Sequence, residues 1–177
     1  MKLTPEIIKK IEEAFEHTKL NGDVNWQDGD EIDVCLAGTF AADKFISIIN
    51  RTIENANNIS SKYPDSNIIT SKFGDSYSKE LISDANLIIN TTSLGMSSGP
   101  NPNSSIIGDI KLNKDVVGFD LVYSPEKTPF LIKVEDSGGK AITGISMLIH
   151  QAIEGLKLIS GENCPYEIME KSIISEL

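Results

Sequence analysis

Phe45-Ile-Ser-Ile-Ile-Asn-Arg-Thr52 decides how this chain folds: five residues of strand character run into a polar triplet, and a helical segment opens directly behind it. A short apolar run bounded by polar residues reads as a buried strand, and its end in Asn50-Arg51-Thr52 is a strand-to-helix turn. The same unit recurs along the chain. Residues 32–37, 45–49, 67–70, 87–90 and 116–122 read as strands, and residues 52–63, 77–84, 129–136, 144–160 and 165–177 as helices. Strands that alternate with helices predict an α/β fold with a mostly parallel sheet covered by helices on both faces.

Upstream, Thr4-Pro5 reads as an N-cap followed by proline at the first helical position. Ile7, Ile8, Ile11, Phe15 and Thr18 then recur at helical spacing, so an amphipathic helix is expected to about residue 20. Residues 21–31 are acidic and turn-rich. The expected organisation is an amino-terminal helix and loop over 1–31 and a single α/β domain with carboxyl-terminal helices over 32–177. Residues 97–108 are rich in Ser, Asn, Pro and Gly and read as a long loop.

One spacing breaks the pattern. Twelve positions separate Gly38 from Asn50, and the second strand uses five of them. A parallel crossover needs at least about 10–12 residues including its helix. Residues 39–44 leave no room for it, so the first βαβ unit is incomplete. Either 32–37 and 45–49 form a hairpin, or the first strand is displaced from the sheet.

Composition narrows the function. The chain has 177 residues, a net charge of −10 and a pI near 4.6, which argues against a nucleic-acid partner. No apolar run reaches the roughly 20 residues needed to cross a bilayer, and the amino terminus has no signal-peptide core. With only Cys35 and Cys164, no disulfide framework is expected, and the reading is cytoplasmic. His17 and His150 are the only histidines and belong to no tight ligand group, so no metal site is expected.

Among the polar residues, Arg51 stands out as the only arginine. In doubly wound sheets the carboxyl ends of strands face the ligand crevice, and an arginine after the second strand suits a dinucleotide's 2′-phosphate. A surface arginine at a strand end is the plain alternative. Asn50 precedes it, and Thr52 is available as N-cap. Thr92 and Ser93 follow the strand at 87–90, where hydroxyls can hold ribose or phosphate; a strand leaving through a Ser/Gly turn reads equally well. Tyr123 offers a hydroxyl, although a strand tyrosine is more often structural. In the helix over 144–160, Ile145, Leu148, Ile149, Ala152, Ile153, Leu156 and Ile159 form an apolar face with Gln151 at its edge.

Four stretches then carry a resemblance: Asn50-Arg51-Thr52, Asn90-Thr-Thr-Ser-Leu-Gly-Met96, Asp120-Leu-Val-Tyr-Ser-Pro-Glu-Lys-Thr-Pro129 and Gly144-Ile-Ser-Met-Leu-Ile-His-Gln151. In this order they resemble the cofactor-binding half of shikimate dehydrogenases, over about residues 45–165. The resemblance implies a Rossmann-like fold, NADP as cofactor, and reversible reduction of 3-dehydroshikimate to shikimate in aromatic amino acid biosynthesis. It implies that Asn50, Arg51 and Thr52 recognise the 2′-phosphate and that Thr92 and Ser93 line the cofactor site. It also implies that Leu121, Gly144 and Met147 touch the nicotinamide, while Tyr123 and Gln151 face the substrate. Ser146 stands where the family usually has glycine.

The resemblance also sets limits. The family's catalytic lysine and aspartate lie in Asn-Val-Thr-x-Pro-x-Lys and Asn-Thr-Asp motifs, which do not occur in these residues. Lys19, Asp23 and Asp28 match neither, so no catalytic residue is assigned. Its Gly-x-Gly-Gly-Ala phosphate loop is replaced by Val34-Cys-Leu-Ala-Gly-Thr-Phe-Ala-Ala-Asp-Lys44. Weak or absent NADPH binding is therefore expected, and the chain alone is expected to be inactive. A separate polypeptide carrying the substrate domain is one way to complete it. A non-catalytic relative acting as a binding or assembly module is the alternative, and another nucleotide-binding α/β protein a third.

Overall fold

In the computed structural model, which describes residues 34–38 and 46–175, six strands form one sheet in the order β3-β2-β1-β4-β5-β6. The strands are β1 (Val34–Gly38), β2 (Ile46–Asn50), β3 (Ile68–Lys72), β4 (Leu87–Asn90), β5 (Val117–Asp120) and β6 (Lys140–Ile142). The helices are α1 (Ile53–Ser61), α2 (Ser76–Asp84), α3 (Pro129–Asp136), α4 (Ile145–Ser160) and α5 (Tyr166–Ile174). The helix expected over residues 4–20, the loop over 21–31 and the linker over 39–44 lie outside the described residues.

Parallel pairing joins β2 to β3, β4 to β5 and β5 to β6. The exception is β1, which pairs antiparallel with both of its neighbours. Of the two outcomes the short spacing allowed, the hairpin holds: Val34 pairs with Asn50 and Gly38 with Ile46. The strand nonetheless keeps a central place between β2 and β4 rather than leaving the sheet. Because β1 is reversed, β2 to β6 all run the same way, and their carboxyl ends share one edge.

Alternation along β2 separates the two faces. Ile48 packs with Ala56 of α1 and with Ile53, Ile59 and Ile68 on one side. Ile49 points the other way, into a larger core with Leu81 and Ile82 of α2, Ile88 of β4, and Phe130, Leu131 and Val134 of α3. Gly118 lets α3 sit directly on β5, since a Cβ there would lie 2.5 Å from a Val134 methyl.

Helix starts follow the capping chemistry. Asp75 caps α2 by accepting from the Ser78 amide, and this hydrogen bond is the main reason its carboxyl sits below the ordinary range. Thr128 caps α3 by accepting from the Leu131 amide, with Pro129 in the first turn. The apolar face of α4 is less covered than its periodicity predicts. Ile149 is fully buried, whereas Ile159 is 88% exposed.

Candidate functional site

The common edge of β2, β4 and β5 is closed by three buried polar residues: Asn50, Asn90 and Asp120. Each ends an apolar strand, and each turns the departing chain. Asn90 and Asp120 are register partners on adjacent strands. Asn50 lies across β1 from Asn90, about 10 Å away at two strand spacings.

At the β2 end, the Asn50 side-chain oxygen accepts from the Thr52 amide at 2.7 Å. This local turn carries the backbone from strand into α1 and leaves Arg51 exposed on the surface. Thr52 does stand at the N-cap of α1, as its sequence suggests, but its side chain makes no capping bond there.

At the β4 end, Asn90 organises the loop that follows. Its amide nitrogen donates to Asp120 Oδ1 at 2.9 Å and to the Leu94 carbonyl at 3.3 Å. Its oxygen accepts from the Thr92 amide and the Thr92 hydroxyl at 3.0 and 2.8 Å. Thr92 Oγ1 in turn accepts from the Leu94 amide. The Thr92 hydroxyl is thus turned into its own loop, and Ser93 beside it is half-buried. The neighbouring Thr91 is different: its hydroxyl is buried with no hydrogen-bond partner. A buried hydroxyl left this way costs about 1–3 kcal/mol, which a bound polar atom can recover.

Asp120 holds β5 to this arrangement. Oδ1 also accepts from the Val122 amide at 3.0 Å, and Oδ2 accepts from the Thr128 hydroxyl at 2.6 Å. Burial pushes the Asp120 carboxyl above the ordinary range, against the pull of hydrogen bonds from Thr128, Val122 and Asn90. Thr128 passes the connection on to α3. One carboxyl therefore joins the β4 loop, the β5 loop and the start of α3. Its place in the Asp120–Pro129 run is visible in the sequence, but the role is not.

Beyond β5, the Leu121 amide donates to the Asn90 carbonyl at 3.0 Å. Gly144 is seated on the same backbone: a Cβ there would lie 2.6 Å from the Leu121 carbonyl oxygen and 2.8 Å from that of Asp120. This seat is where α4 begins. Met147 is half-buried in the first turn of α4, and Gln151, one turn on, is exposed. Tyr123 lies in the loop past the end of β5, which stops at Asp120 where the sequence predicts a strand running to Val122, and is 40% exposed.

The residues singled out by sequence therefore fall into two groups on one edge. Thr92, Leu121 and Gly144 are tied together through Asn90 and Asp120, while Asn50, Arg51 and Thr52 stand across β1. Among the described residues no phosphate loop opens between them, because Gly38 pairs with Ile46 and Leu87 at the opposite edge of the sheet. The edge beside Asn50 and Asn90 receives the beginning of β1 instead.

No protein-family profile matches the chain. The NADP(+) shikimate dehydrogenase of Methanosarcina barkeri is 40% identical over 136 residues, which is 75% of this chain and 47% of that protein. The chain belongs to the shikimate dehydrogenase family. A crystal structure of a shikimate dehydrogenase in complex with NADP+ matches with a TM-score of 0.61 and 30% identity, over 73% of this chain and 46% of the other. The Thermus thermophilus shikimate dehydrogenase, solved with NADP(H) and shikimate, matches with a TM-score of 0.56 and 25% identity, over 74% and 46%. The chain spans about half the length of these shikimate dehydrogenases. Its fold is the Rossmann-like fold of their cofactor-binding part, with β1 reversed.

Proposed function

We propose that residues 32–177 form the NADP(H)-binding domain of a shikimate dehydrogenase, an oxidoreductase reducing 3-dehydroshikimate to shikimate, with residues 1–31 a separate amino-terminal segment. One observation carries the reading. Four motifs spread from Asn50 to Gln151 come to a single edge of the sheet, at the carboxyl ends of its strands, where open α/β sheets bind their ligands.

The two ends of the crevice fit the cofactor. Gly144 packs directly on the Asp120 and Leu121 carbonyls, so α4 starts against the end of β5, and Leu121 and Met147 would flank the nicotinamide there. Arg51 supplies a planar guanidinium for a 2′-phosphate, with Asn50 shaping the turn and Thr52 beside it. Thr91 offers a buried hydroxyl that the protein itself leaves unpaired. Ser93 would face the ribose and phosphates. Tyr123 and Gln151, both exposed, would contact the substrate. The cofactor, when bound, supplies the hydride.

The middle of the crevice does not fit as well. A helix N-terminus at the pyrophosphate offers several amides and a favourable dipole, together worth several kcal/mol, or about a hundredfold in affinity. The reversed β1 gives none of this. That same reversal favours a second reading, in which the chain is a non-catalytic relative that serves as a binding or assembly module.

Turnover separates the two. These 177 residues hold neither of the family's catalytic motifs, so the chain alone is expected to give no NADPH-dependent reduction of 3-dehydroshikimate. Mixed with the separately produced substrate domain of a relative, it is expected to give turnover above either component. The partner's surface would cover the apolar side chains exposed on α4 and α5, Leu158, Ile159, Ile168 and Ile174. A mixture no faster than background rules out the enzymatic reading and leaves the binding module.

A further inference from the structure

Phe73 follows β3 directly beside Arg51, although no motif points to it. The β2–β3 pairing matches Asn50 with Lys72, so Arg51 and Phe73 are the next neighbours as the two strands leave the sheet. The Phe73 amide donates to the Asn50 carbonyl at 2.9 Å, which fixes this adjacency one residue beyond the strands. Adjacent parallel strands lie about 4.8 Å apart, so a guanidinium and an aromatic ring rise from neighbouring backbones at the crevice edge. Phe73 is 38% exposed. The next residue is Gly74, at φ +90°, with open space where a side chain would be. Phe73 and Gly74 also border a groove of about 570 Å³ that runs between α2 and residues 105–110, past Ser78, Ile82 and Ile106.

A cation for a phosphate beside an exposed ring for a base is the pairing that recognises a nucleoside phosphate. We infer that Phe73 is a further binding residue of this chain. Its ring stacks on the adenine while Arg51 holds the 2′-phosphate, so that the adenosine 2′-phosphate end carries most of the cofactor affinity. The second half of the inference follows from β1. With no phosphate helix at the centre of the crevice among the described residues, the pyrophosphate adds little, and the end next to β3 is left to hold the ligand. The inference rests on the NADP(H) reading above.

The test is a set of calorimetric titrations of the full chain with 2′,5′-ADP, 5′-AMP and NADPH, repeated on Phe73→Ala and Phe73→Trp. The expected results are that 2′,5′-ADP binds within about tenfold of NADPH and that 5′-AMP, without the 2′-phosphate, binds at least about tenfold more weakly. Loss of a stacked base by substitution weakens binding roughly five- to hundredfold, so Phe73→Ala is expected to lose that much for 2′,5′-ADP and NADPH alike, and Phe73→Trp to keep it. Nuclear Overhauser contacts from the adenine protons to the Phe73 ring are expected in the wild-type complex. Thermal melts of both variants check that the fold is intact. NADPH affinity unchanged in Phe73→Ala, or a loss that tryptophan does not restore, overturns the inference and leaves the NADP(H) reading standing. Binding of neither NADPH nor 2′,5′-ADP at millimolar concentration overturns the reading itself, and the inference with it.

Discussion

Replacing Asp120 with alanine is expected to lower the free energy of unfolding by about 3–5 kcal/mol, because three donors lose a buried acceptor together. The Val122 amide and the Thr128 hydroxyl are left with none from this carboxyl, and Asn90 keeps only its longer bond to the Leu94 carbonyl. Each buried donor left unsatisfied costs about 1–3 kcal/mol, and in a chain of this size the melting temperature falls by roughly 10 °C. Asp120→Asn is milder, since its one oxygen can still serve Asn90 and Val122. Comparing the two variants also exposes the charge. The folded protein holds the Asp120 carboxyl above its ordinary value, so the folded state binds the proton more readily than the unfolded chain. The contribution of this group to stability is therefore fully present below the ordinary carboxylate range, near pH 4. It is lost as pH rises through the raised value, and is flat above it. Denaturation curves across that range should show the slope in the wild type and a reduced slope in Asp120→Asn.

Gly144→Ala is expected to cost about 1–3 kcal/mol of stability, the usual cost of overpacking. The backbone of Gly144 is ordinary, with φ −72° and ψ −9°, so the penalty is steric and not conformational. The new Cβ meets carbonyl oxygens at 2.6 and 2.8 Å. Those oxygens cannot yield easily, because Leu121 is bonded to the Asn90 carbonyl and Asp120 to its three donors. The start of α4 must move outward, taking Met147 with it. Chemical denaturation reads the stability change. In ligand titrations, any margin of NADPH over 2′,5′-ADP is expected to vanish in this variant, while 2′,5′-ADP binds as before, because the disturbance lies at the opposite end of the crevice from Arg51.

Much of the fold can be read from local pattern. The apolar runs that become β2 and β4 end in asparagines, and the twelve-residue spacing from Gly38 to Asn50 rules out a parallel crossover, leaving a hairpin or a displaced strand. Chain length decides that point, so no tertiary knowledge is needed. What local pattern does not carry is whether a reversed strand stays in the sheet. The answer depends on β4, more than thirty residues further on, offering β1 a second partner. The strand β6 is also invisible to local pattern, as three residues after two glycines have no period; it forms because β5 offers it a parallel edge.

At the site, residue type is easier to read than residue direction. Arg51 and Gln151 are exposed at their elements. Thr92 has the right hydroxyl at a strand end, yet that hydroxyl is bonded to Asn90. The unpaired one belongs to Thr91. The roles of Asp120 and Phe73 depend on pairing across strands, which one-dimensional spacing does not encode.

One edge of this sheet is proposed to recognise NADP(H) through its two ends. The most direct test is a calorimetric titration of NADPH, with NADH and Arg51→Ala for comparison. A charge-assisted bond to the 2′-phosphate is worth about 1.5–3 kcal/mol, so NADPH should bind the wild type at least about tenfold more tightly than NADH, and the preference should collapse in Arg51→Ala. Equal affinity for the two cofactors, or no binding of NADPH at millimolar concentration, would contradict the account.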